Sequence, residues 1–271
     1  MQAQIIFTDV DGTLVDDEHH ARPEDAAIIS AVAQAVPFCL VSARSPEGLY
    51  PVQKALGFSG PLVCFSGAYV LDEQGGELSS TVIGIEDAAS IKRFLDVALP
   101  HICVGTYGFH TWVVNDRGDP RVAREEFFVQ ASAMECRDIE QVFGRCGIHK
   151  FLLMGGPDEI LGAEQTIRDR YPNLAVVRSN EMLCEIMAGG VSKADGVSLL
   201  CNHYGVLPEN AIAFGDGYNV LEMLAAVGRS YAMANAELAV KEAATHRCAW
   251  TNAQGGVAKT LAQLFCGAAV Q

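Results

Sequence analysis

The sequence lacks long hydrophobic runs and is short of basic residues, and each shortage excludes a class of protein. No apolar stretch reaches the roughly 18 residues that a membrane-spanning helix needs, so no membrane partner is expected. Only 19 Lys and Arg residues stand against 33 Asp and Glu residues, a formal net charge of −14 that repels nucleic acid and anionic lipid. The first residues also lack the basic start and cleavage site of a signal peptide, and we expect a cytoplasmic protein.

The nine cysteines form neither a disulfide framework nor a zinc motif. The sequence has no C-x-x-C pair, and most cysteines lie inside apolar segments such as PFCLVS and LVCFSG. Cys146 and His149 have zinc-like spacing, but no second pair of suitable spacing accompanies them. We therefore expect reduced thiols in the hydrophobic core, and we interpret the CGIH fragment as the start of a strand.

What the chain does contain is an alternation of strands and helices at both ends of its 271 residues. It begins with strand QIIFTDV, helix RPEDAAIISAVAQAV, strand PFCLVSA, helix PEGLYPVQKALG and strand PLVCFSG. Near the carboxyl terminus, strands AIAFGD, SYAMAN and CAWT again alternate with helical segments. This pattern predicts a Rossmann-like α/β domain with a parallel sheet.

The middle of the chain follows a different pattern, in which a helix followed by two strands is repeated. Such a repeat predicts an antiparallel sheet with helices on one face, an α+β module. We predict that residues 82–187 form this module and are inserted into the parallel-sheet domain. The α/β domain would then consist of residues 1–81 and 188–271.

The stretch IIFTDVDGTLVDD runs an apolar strand directly into two carboxylates, Asp9 and Asp11. Open parallel sheets bind ligands at the carboxyl ends of their strands, so both side chains are expected at the mouth of a crevice. Like charges this close raise each other's pKa unless a cation lies between them, and a divalent metal with oxygen ligands would supply that cation. A solvated Asp-Gly turn is the alternative interpretation.

Other polar residues lie at the ends of predicted strands or at the start of a helix. Ser42 follows the second strand, Lys193 begins a helix, and Asp216 and Asn219 follow the strand IAFG. Taken singly, Ser42 and Asp216 could be helix caps and Lys193 a surface charge. Together with the two amino-terminal aspartates they supply a nucleophile, a proton carrier, a hydroxyl, a cation and metal ligands, which is what phosphoryl transfer requires.

The motifs DVDGT, VSAR, GVSKADGV and GDGYN together resemble those of the haloacid dehalogenase-like superfamily. The chain is most similar to its Cof-type phosphatases, in which a C2 (type IIB) α+β cap is inserted after the third strand. The segments YAMANA and TNAQGGVAKTL are also similar to that subfamily's closing segments. The resemblance implies hydrolysis of a phosphate monoester, with the inserted module closing as a lid that excludes water.

The resemblance also implies a role for each matching residue. Asp9 would be the nucleophile that becomes a phosphoaspartate, and Asp11 would act first as general acid and then as general base. Lys193 would neutralise the nucleophile and the phosphate, and the cofactor Mg²⁺ would be bound by Asp9, Asp216 and the Asp11 carbonyl. Contacts to the phosphate are implied for Gly12, Thr13, Ser42, Ala43, Lys193 and Asn219.

Two positions depart from the Cof-type pattern. Val220 stands where the family commonly has an Asp that supports the metal, and Ser66 stands where it usually has an Asn. We expect weaker metal binding and an altered polar contact under the site, and we expect Val220→Asp to tighten Mg²⁺ binding.

Contacts with the leaving group are less well defined by the sequence. Arg44 either reaches the phosphate or pairs with a surface carboxylate. Aromatic and charged residues of the insertion are further candidates, although core or surface positions explain each of them as well: Tyr107, His110, Trp112, Arg178 and Glu185.

The resemblance implies a small organic phosphate as the substrate, such as a sugar phosphate or a phosphorylated cofactor like pyridoxal phosphate or FMN. Two alternatives stay open. One is a phosphomutase that uses the same aspartyl phosphate, and the other is a non-catalytic phospholigand-binding or regulatory protein, which the valine at position 220 would suit. The oligomeric state is not indicated by the sequence.

Overall fold

A computed structural model describes residues 4–265 and divides them into two compact units. The core unit contains the described residues up to Ser79 together with those from Ser192 onward, and the inserted unit contains Ser80–Val191. The insertion expected from the sequence, residues 82–187, starts two residues later and ends four residues earlier than this unit. Each unit is built around its own sheet.

The first half of the core unit alternates strands and helices and then adds two further strands. Its elements are β1 (Ile5–Asp9), α1 (Ala26–Ala35), β2 (Phe38–Val41), α2 (Pro46–Ala55), β3 (Leu62–Cys64), β4 (Tyr69–Leu71) and β5 (Glu77–Ser80). All five residues of β1 are buried, as expected for a strand covered on both faces. Ser45 caps α2 by accepting a hydrogen bond from the Gly48 amide, and Pro46 occupies the first helical turn, where its missing N–H costs nothing.

The inserted unit is an α+β module. Its elements are α3 (Ile85–Ala98), β6 (Cys103–Gly108), β7 (Thr111–Val114), α4 (Pro120–Val129), β8 (Met134–Glu135), α5 (Ile139–Phe143), β9 (Lys150–Met154), α6 (Pro157–Arg170), β10 (Leu174–Asn180) and β11 (Leu183–Ala188). The sheet order is β10-β11-β9-β6-β7-β8, and its pairs are antiparallel except that β7 and β8 run parallel. The predicted antiparallel sheet is confirmed, whereas β8 and α5 were not predicted.

One face of the inserted sheet packs against helices. Buried residues of α3, α5 and α6, such as Leu95, Phe143 and Ile160, belong to the same hydrophobic cluster as Phe151 and Ile186 of the strands. Each fully buried large apolar side chain stabilises a fold by roughly 1.5–3 kcal/mol, so this cluster provides the unit's main driving force. Val122 of α4 is buried but is not part of the cluster.

The second half of the core unit completes a sheet in the order β14-β13-β12-β1-β2-β3-β4-β5. Its elements are α7 (Lys193–His203), β12 (Ala211–Gly215), α8 (Leu221–Ala225), β13 (Arg229–Ala232), α9 (Leu238–Ala243), β14 (His246–Arg247) and α10 (Gly256–Phe265). The strands from β14 to β3 are parallel, and β4 runs antiparallel to β3. This is the predicted Rossmann-like α/β architecture.

One predicted strand is wrong. The segment CAWT is not a strand; the last strand of this sheet, β14, precedes it and is only two residues long. Cys248 still donates its amide to the Ala232 carbonyl over 2.8 Å. The chain then turns, because Thr251 caps a short 3-10 helix at Asn252–Gln254.

The thiols agree with the expectation drawn from their apolar surroundings. The eight described cysteines are free, and all of them except Cys136 and Cys146 are buried, while Cys266 lies outside the described residues.

His149 hydrogen-bonds to Ser80 Oγ through Nε2 and accepts from the Phe109 amide through Nδ1. Both ring nitrogens of His149 are therefore engaged within the protein.

None of the helices in residues 4–265 combines the length and the apolar composition that a bilayer span requires.

Candidate active site

The carboxyl ends of three parallel strands lie side by side at one edge of the core sheet. β1 pairs with β2 on one side and with β12 on the other, and Asp9 at its end is opposite Val41. The chain therefore leaves all three strands at the same edge, which is where open parallel sheets bind ligands. The residues that follow these strands include most of those selected from the sequence: Asp11, Gly12, Thr13, Ser42, Ala43, Arg44 and Asp216.

Asp9 and Lys193 form a buried ion pair at this edge. Lys193 Nζ donates to Asp9 Oδ1 over 2.8 Å, and the two residues are only 3% and 4% exposed. The Val10 amide donates to the same carboxylate oxygen over 2.9 Å. Burial raises the pKa of Asp9, while the charge and hydrogen bond of Lys193 oppose that rise. The two residues are 184 positions apart in the sequence, so only the fold brings them together.

The direction of Lys193 is set by the start of α7. Ser192 caps this helix by accepting a hydrogen bond from the Asp195 amide over 3.2 Å. Gly67, with φ of +108°, lies so close to the Ser192 carbonyl that a Cβ at position 67 would collide with it. The turn after β3 therefore holds the first turn of α7 in place.

Ser66, the residue that departs from the family pattern, lies in this same turn. Its φ of 56° and ψ of 27° are in the left-handed region, which Asn tolerates better than Ser. The Ser66 amide donates to the Ser42 carbonyl over 2.9 Å. The main chain of this position therefore supports the loop after β2, whichever side chain it carries.

Asp216 packs against the loop that follows β1. Thr13 Oγ1 donates to Asp216 Oδ1 over 2.9 Å, and a Cβ on Gly12, which has φ of +73°, would collide with Asp216 Oδ2. Burial, followed by the negative charge of Asp9, raises the pKa of Asp216 to about 6, against the opposing effects of Thr13 and Lys193. The hydroxyl of Thr13, predicted to hold phosphate, is directed at Asp216 in this structure.

Asp11 is held by two donors that come from different parts of the chain. Arg44 Nε donates to Asp11 Oδ2 over 3.0 Å, and Arg44 Nη2 donates to Oδ1 over 2.6 Å. His19 Nδ1 lies 2.7 Å from the same Oδ1. Burial would raise the pKa of Asp11, but the His19 hydrogen bond and the Arg44 charge outweigh it and hold that pKa well below its usual range. Arg44 thus pairs with a carboxylate of the site rather than with one on the surface.

Ser42 is buried at the end of β2, with 1% of its surface exposed. Its Oγ accepts a hydrogen bond from the Arg44 amide over 3.1 Å, and its own amide donates to the Val63 carbonyl over 2.8 Å. Ala43, between these residues, is half-buried. The hydroxyl is therefore anchored near the Arg44 that grips Asp11.

Two asparagines that the sequence did not single out brace the loop after β1. Asn235 Nδ2 donates to the Gly12 carbonyl over 2.7 Å, and Asn235 Oδ1 accepts from the Asn252 amide over 3.0 Å. Asn252 Nδ2 donates to the Val15 carbonyl over 3.1 Å and to Asp17 Oδ1 over 2.9 Å. Both lie in the YAMANA and TNAQGG segments, so the resemblance marked these regions without assigning their roles.

Asn219 and Val220 lie in a short 3-10 turn after β12 and have opposite environments. Asn219 is solvent-exposed, unlike the buried Ser42 and Lys193. Its side chain is therefore not held in place for the predicted contact with phosphate. Val220 is fully buried, and its methyl group fills the space that a Cβ on Gly215 would need. A carboxylate at position 220 would enter apolar surroundings, so Val220→Asp should also cost stability.

The substrate candidates of the inserted unit are divided between the two faces of its sheet. Glu185 pairs with Val177 and Arg178 pairs with Cys184, so these two candidates point to opposite faces. Arg178 lies near Glu164 of α6, on the helix-covered face. One small molecule would therefore not contact both side chains.

The other face carries most of the remaining candidates. Tyr107 and Trp112 are opposite each other on β6 and β7 and are stacked, with ring centroids 5.0 Å apart. Lys150 Nζ lies 5.1 Å from the centre of the Tyr107 ring and 3.6 Å from Glu185 Oε1. His110 is exposed at the turn between β6 and β7.

The donors at the edge of the core sheet fit Mg²⁺. Asp9 and Asp216 supply carboxylate oxygens, and the pKa of Asp216 is raised first by burial and then by the negative charge of Asp9, which a bound cation would offset. The missing Cβ of Gly12 lets the Asp216 carboxylate pack directly against the loop after β1. Within residues 4–265 no three His, Cys, Asp or Glu side chains are grouped as a metal site.

The fold and this arrangement of two strand-end aspartates, a strand-end hydroxyl and a helix-start lysine define a Rossmann-like α/β protein whose polar site lies at the carboxyl edge of its parallel sheet. A family profile described as haloacid dehalogenase-like hydrolase matches residues 6–261. The chain belongs to this family, as its motifs predicted.

Individual relatives agree along nearly the whole chain. A Haemophilus influenzae protein provisionally named as a phosphatase is 32% identical over 266 residues, which are 98% of this chain and 99% of that one. The 5-amino-6-(5-phospho-D-ribitylamino)uracil phosphatase of Bacillus subtilis is 25% identical over 96% of this chain and 97% of its own. The crystal structure of a haloacid dehalogenase-like hydrolase from Bacteroides thetaiotaomicron superposes with a TM-score of 0.88 at 26% identity, covering 97% of this chain and 100% of that one.

Proposed function

We propose that this protein is a magnesium-dependent phosphatase that hydrolyses a small organic phosphate monoester through a phosphoaspartate on Asp9. The observation that carries the proposal is the buried pair in which Lys193 Nζ donates to Asp9 Oδ1 over 2.8 Å. A buried carboxylate beside an ammonium group is a suitable nucleophile for an anionic ester, because the ammonium charge offsets the repulsion between the carboxylate and the phosphate.

In the first step Asp9 attacks phosphorus, the bond to the leaving oxygen breaks, and that oxygen takes a proton from Asp11. In the second step a water molecule gives a proton to Asp11 and attacks phosphorus, which breaks the bond to Asp9 and releases phosphate. Lys193 and the Ser42 hydroxyl contact the phosphate oxygens and stabilise the charge that they carry. Mg²⁺, held by Asp9, Asp216 and the Asp11 carbonyl, would supply further positive charge to those oxygens.

The environment of Asp11 sets its protonation state before the substrate binds, although a carboxylate with so low a pKa is a weak base until bound phosphate raises that pKa. Its carboxylate is held ionised by Arg44 and His19, and an ionised carboxylate is ready to accept a proton from water. For the first step Asp11 must be protonated. A bound phosphate dianion raises the pKa of a neighbouring carboxyl group, because like charges oppose ionisation, and it would thereby prepare Asp11 as an acid.

We infer that the substrate is a sugar phosphate or a phosphorylated cofactor. The family resemblance supports this class, and the Bacillus subtilis relative named above acts on a phosphorylated ribityl compound. The net charge of −14 is unsuited to a polyanionic nucleic acid, which supports a small substrate.

The proposal is tested by phosphate release in the presence of Mg²⁺ from glucose 6-phosphate, ribose 5-phosphate, pyridoxal phosphate, FMN and p-nitrophenyl phosphate. Asp9→Asn is expected to lower kcat by about 10⁴-fold or more, since the nucleophile is removed. Asp87→Asn, a change of an exposed carboxylate on α3, is the matched control and should behave as wild type.

Three results would contradict the proposal. Binding of these esters without release would support the phospholigand-binding alternative, and transfer of phosphate to a second position of a sugar would support the mutase. Undiminished release by a folded Asp9→Asn protein would show that the chemistry occurs elsewhere.

A further inference from the structure

We propose that His19 is a positioning residue for Asp11, which it holds in the orientation needed to protonate the leaving group. This inference rests on the proposed function. His19 lies outside the site motifs DVDGT, VSAR, GVSKADGV and GDGYN.

The first support is the turn that carries His19. Its amide donates to the Asp16 carbonyl over 3.0 Å, while Asp16 Oδ1 accepts from the amides of Glu18 at 3.0 Å and His20 at 2.9 Å. An antiparallel bridge between Val15 and Ala21 closes the turn. His19 itself has φ of 63°, a left-handed conformation that is uncommon for residues other than glycine, although histidine adopts it more often than most. The chain thus fixes the backbone of His19 with several hydrogen bonds in an unfavourable conformation.

The second support is the geometry around Asp11. The planar fork of Arg44 approaches Asp11 with two donors, and Arg44 Nη1 is itself anchored on the Gly48 carbonyl over 3.2 Å. His19 Nδ1 approaches Oδ1 from a separate loop over 2.7 Å. Because an ionised carboxylate only accepts hydrogen bonds, Nδ1 carries the proton in this contact. Donors from two independent elements restrict the Asp11 side chain more than the arginine fork does alone.

The orientation of a proton carrier affects only the steps that need the proton. An alkyl oxygen is a poor leaving group and requires protonation, whereas p-nitrophenolate leaves as a stabilised anion. The ratio kcat/KM reports the steps up to formation of the phosphoaspartate. Loss of the His19 donor makes Asp11 easier to protonate but leaves its carboxyl free to turn away from the leaving oxygen, and we expect the loss of orientation to dominate. The value of kcat/KM should then fall for alkyl phosphates and be spared for p-nitrophenyl phosphate, whereas general damage to the site would lower both.

Three substitutions separate the donor from the backbone. His19→Gly removes the donor and tolerates the left-handed conformation, and His19→Ala removes the donor and adds strain. His19→Asn keeps an N–H donor near the position of Nδ1 and tolerates the same conformation. His203→Ala, a change of an exposed histidine at the end of α7, is the control.

We expect His19→Gly and His19→Ala to lower kcat/KM on the order of tenfold for the fastest of the four alkyl esters, since small misplacements of a catalytic group have effects of this size or larger. For p-nitrophenyl phosphate the change should be less than about twofold, and His19→Asn should recover most of the loss. Thermal unfolding of each variant checks that the fold is retained.

The possible failures are distinguishable. Equal kcat/KM values for wild type and His19→Gly on an alkyl ester would overturn this inference and leave the proposed function intact. Equal losses on both kinds of ester, or no recovery in His19→Asn, would also overturn it in favour of a structural role. Absence of phosphate release by wild type would overturn the proposed function and the inference together.

Discussion

Each unit of this protein contains a buried lysine next to a buried carboxylate, Lys193 with Asp9 and Lys150 with Glu185, and the two pairs differ in what surrounds them. In the core unit, Lys193 Nζ lies 2.8 Å from Asp9 Oδ1, and Asp9 and Asp11 each contribute negative charge that raises the pKa of Asp216. In the inserted unit, Lys150 Nζ lies 3.6 Å from Glu185 Oε1 beside the stacked Tyr107 ring.

The difference lies in the position of each pair on its sheet. The core pair is at the carboxyl ends of parallel strands, where carboxylates outnumber the lysine. Closely spaced carboxylates destabilise the ligand-free protein and are characteristic of functional sites that bind a cation or an anionic ester. The inserted pair lies on the neighbouring antiparallel strands β9 and β11, not at the carboxyl ends of parallel strands. Similar pairs can thus serve chemistry or architecture, depending on where the fold places them.

The largest difference between the two pairs is expected when each lysine is removed in turn. Lys193→Met should lower kcat by about 10²–10³-fold, because a charge that stabilises the transferring phosphate is lost in a buried site. Lys150→Met should act mainly on stability, by about 3 kcal/mol, because Glu185 is left buried without its cation. Steady-state kinetics and chemical denaturation measure the two effects.

Double substitutions provide the control for both pairs. Lys150→Met with Glu185→Leu removes both charges and should recover most of the lost stability. Lys193→Met with Asp9→Leu should likewise recover stability but no activity. Full activity in Lys193→Met would contradict the assignment of the core pair to the chemistry.

A second comparison concerns the pH dependence of the inserted unit. Burial lowers the pKa of His149 to about 4, whereas an unfolded histidine titrates near its ordinary value of about 6.5. Above pH 6.5 the residue is neutral in both states and its contribution is fully present. As the pH falls from 6.5 to 4, His149 becomes protonated in the unfolded chain but stays neutral in the folded protein. The free energy of unfolding therefore falls by up to about 3 kcal/mol.

The measurement is the free energy of unfolding across this pH range. His149→Asn removes the titrating group and should flatten the profile between pH 6.5 and 4, while Asn Oδ1 can still accept from the Phe109 amide. An unchanged slope in the variant would assign the acid sensitivity to other groups.

The smallest expected effect is a change in stability when one carboxylate of the core site is removed. Asp216→Asn removes one carboxylate from the crowded edge and preserves an acceptor for the Thr13 hydroxyl. Because burial and Asp9 disfavour the ionised form of Asp216, the metal-free variant should be more stable at pH 7 by about 1 kcal/mol. Thermal unfolding with and without Mg²⁺ checks this, and the variant should lose the stabilisation that Mg²⁺ gives to wild type.

Much of the fold follows from local patterns, and the failures have physical causes. The buried run of β1 and the capped helix at Pro46 are determined by neighbouring residues, and both were predicted. The two-residue strand β14 was misplaced, because so short a strand is defined by its partner β13 rather than by its own sequence. The two-residue β8 escaped prediction for the same reason.

By itself, the sequence determined the parallel architecture, the insertion of a second module and the nature of the groups that gather at the strand ends. These follow from apolar periodicity and from residues that come directly after a strand or begin a helix, which are local properties. Only the tertiary structure decided which groups touch. Lys193 contacts Asp9, which is 184 positions away in the sequence. Arg44 and His19 both contact Asp11. Arg178 and Glu185 lie on opposite faces of one sheet. Such contacts depend on the register and packing of distant segments, and no single segment encodes them.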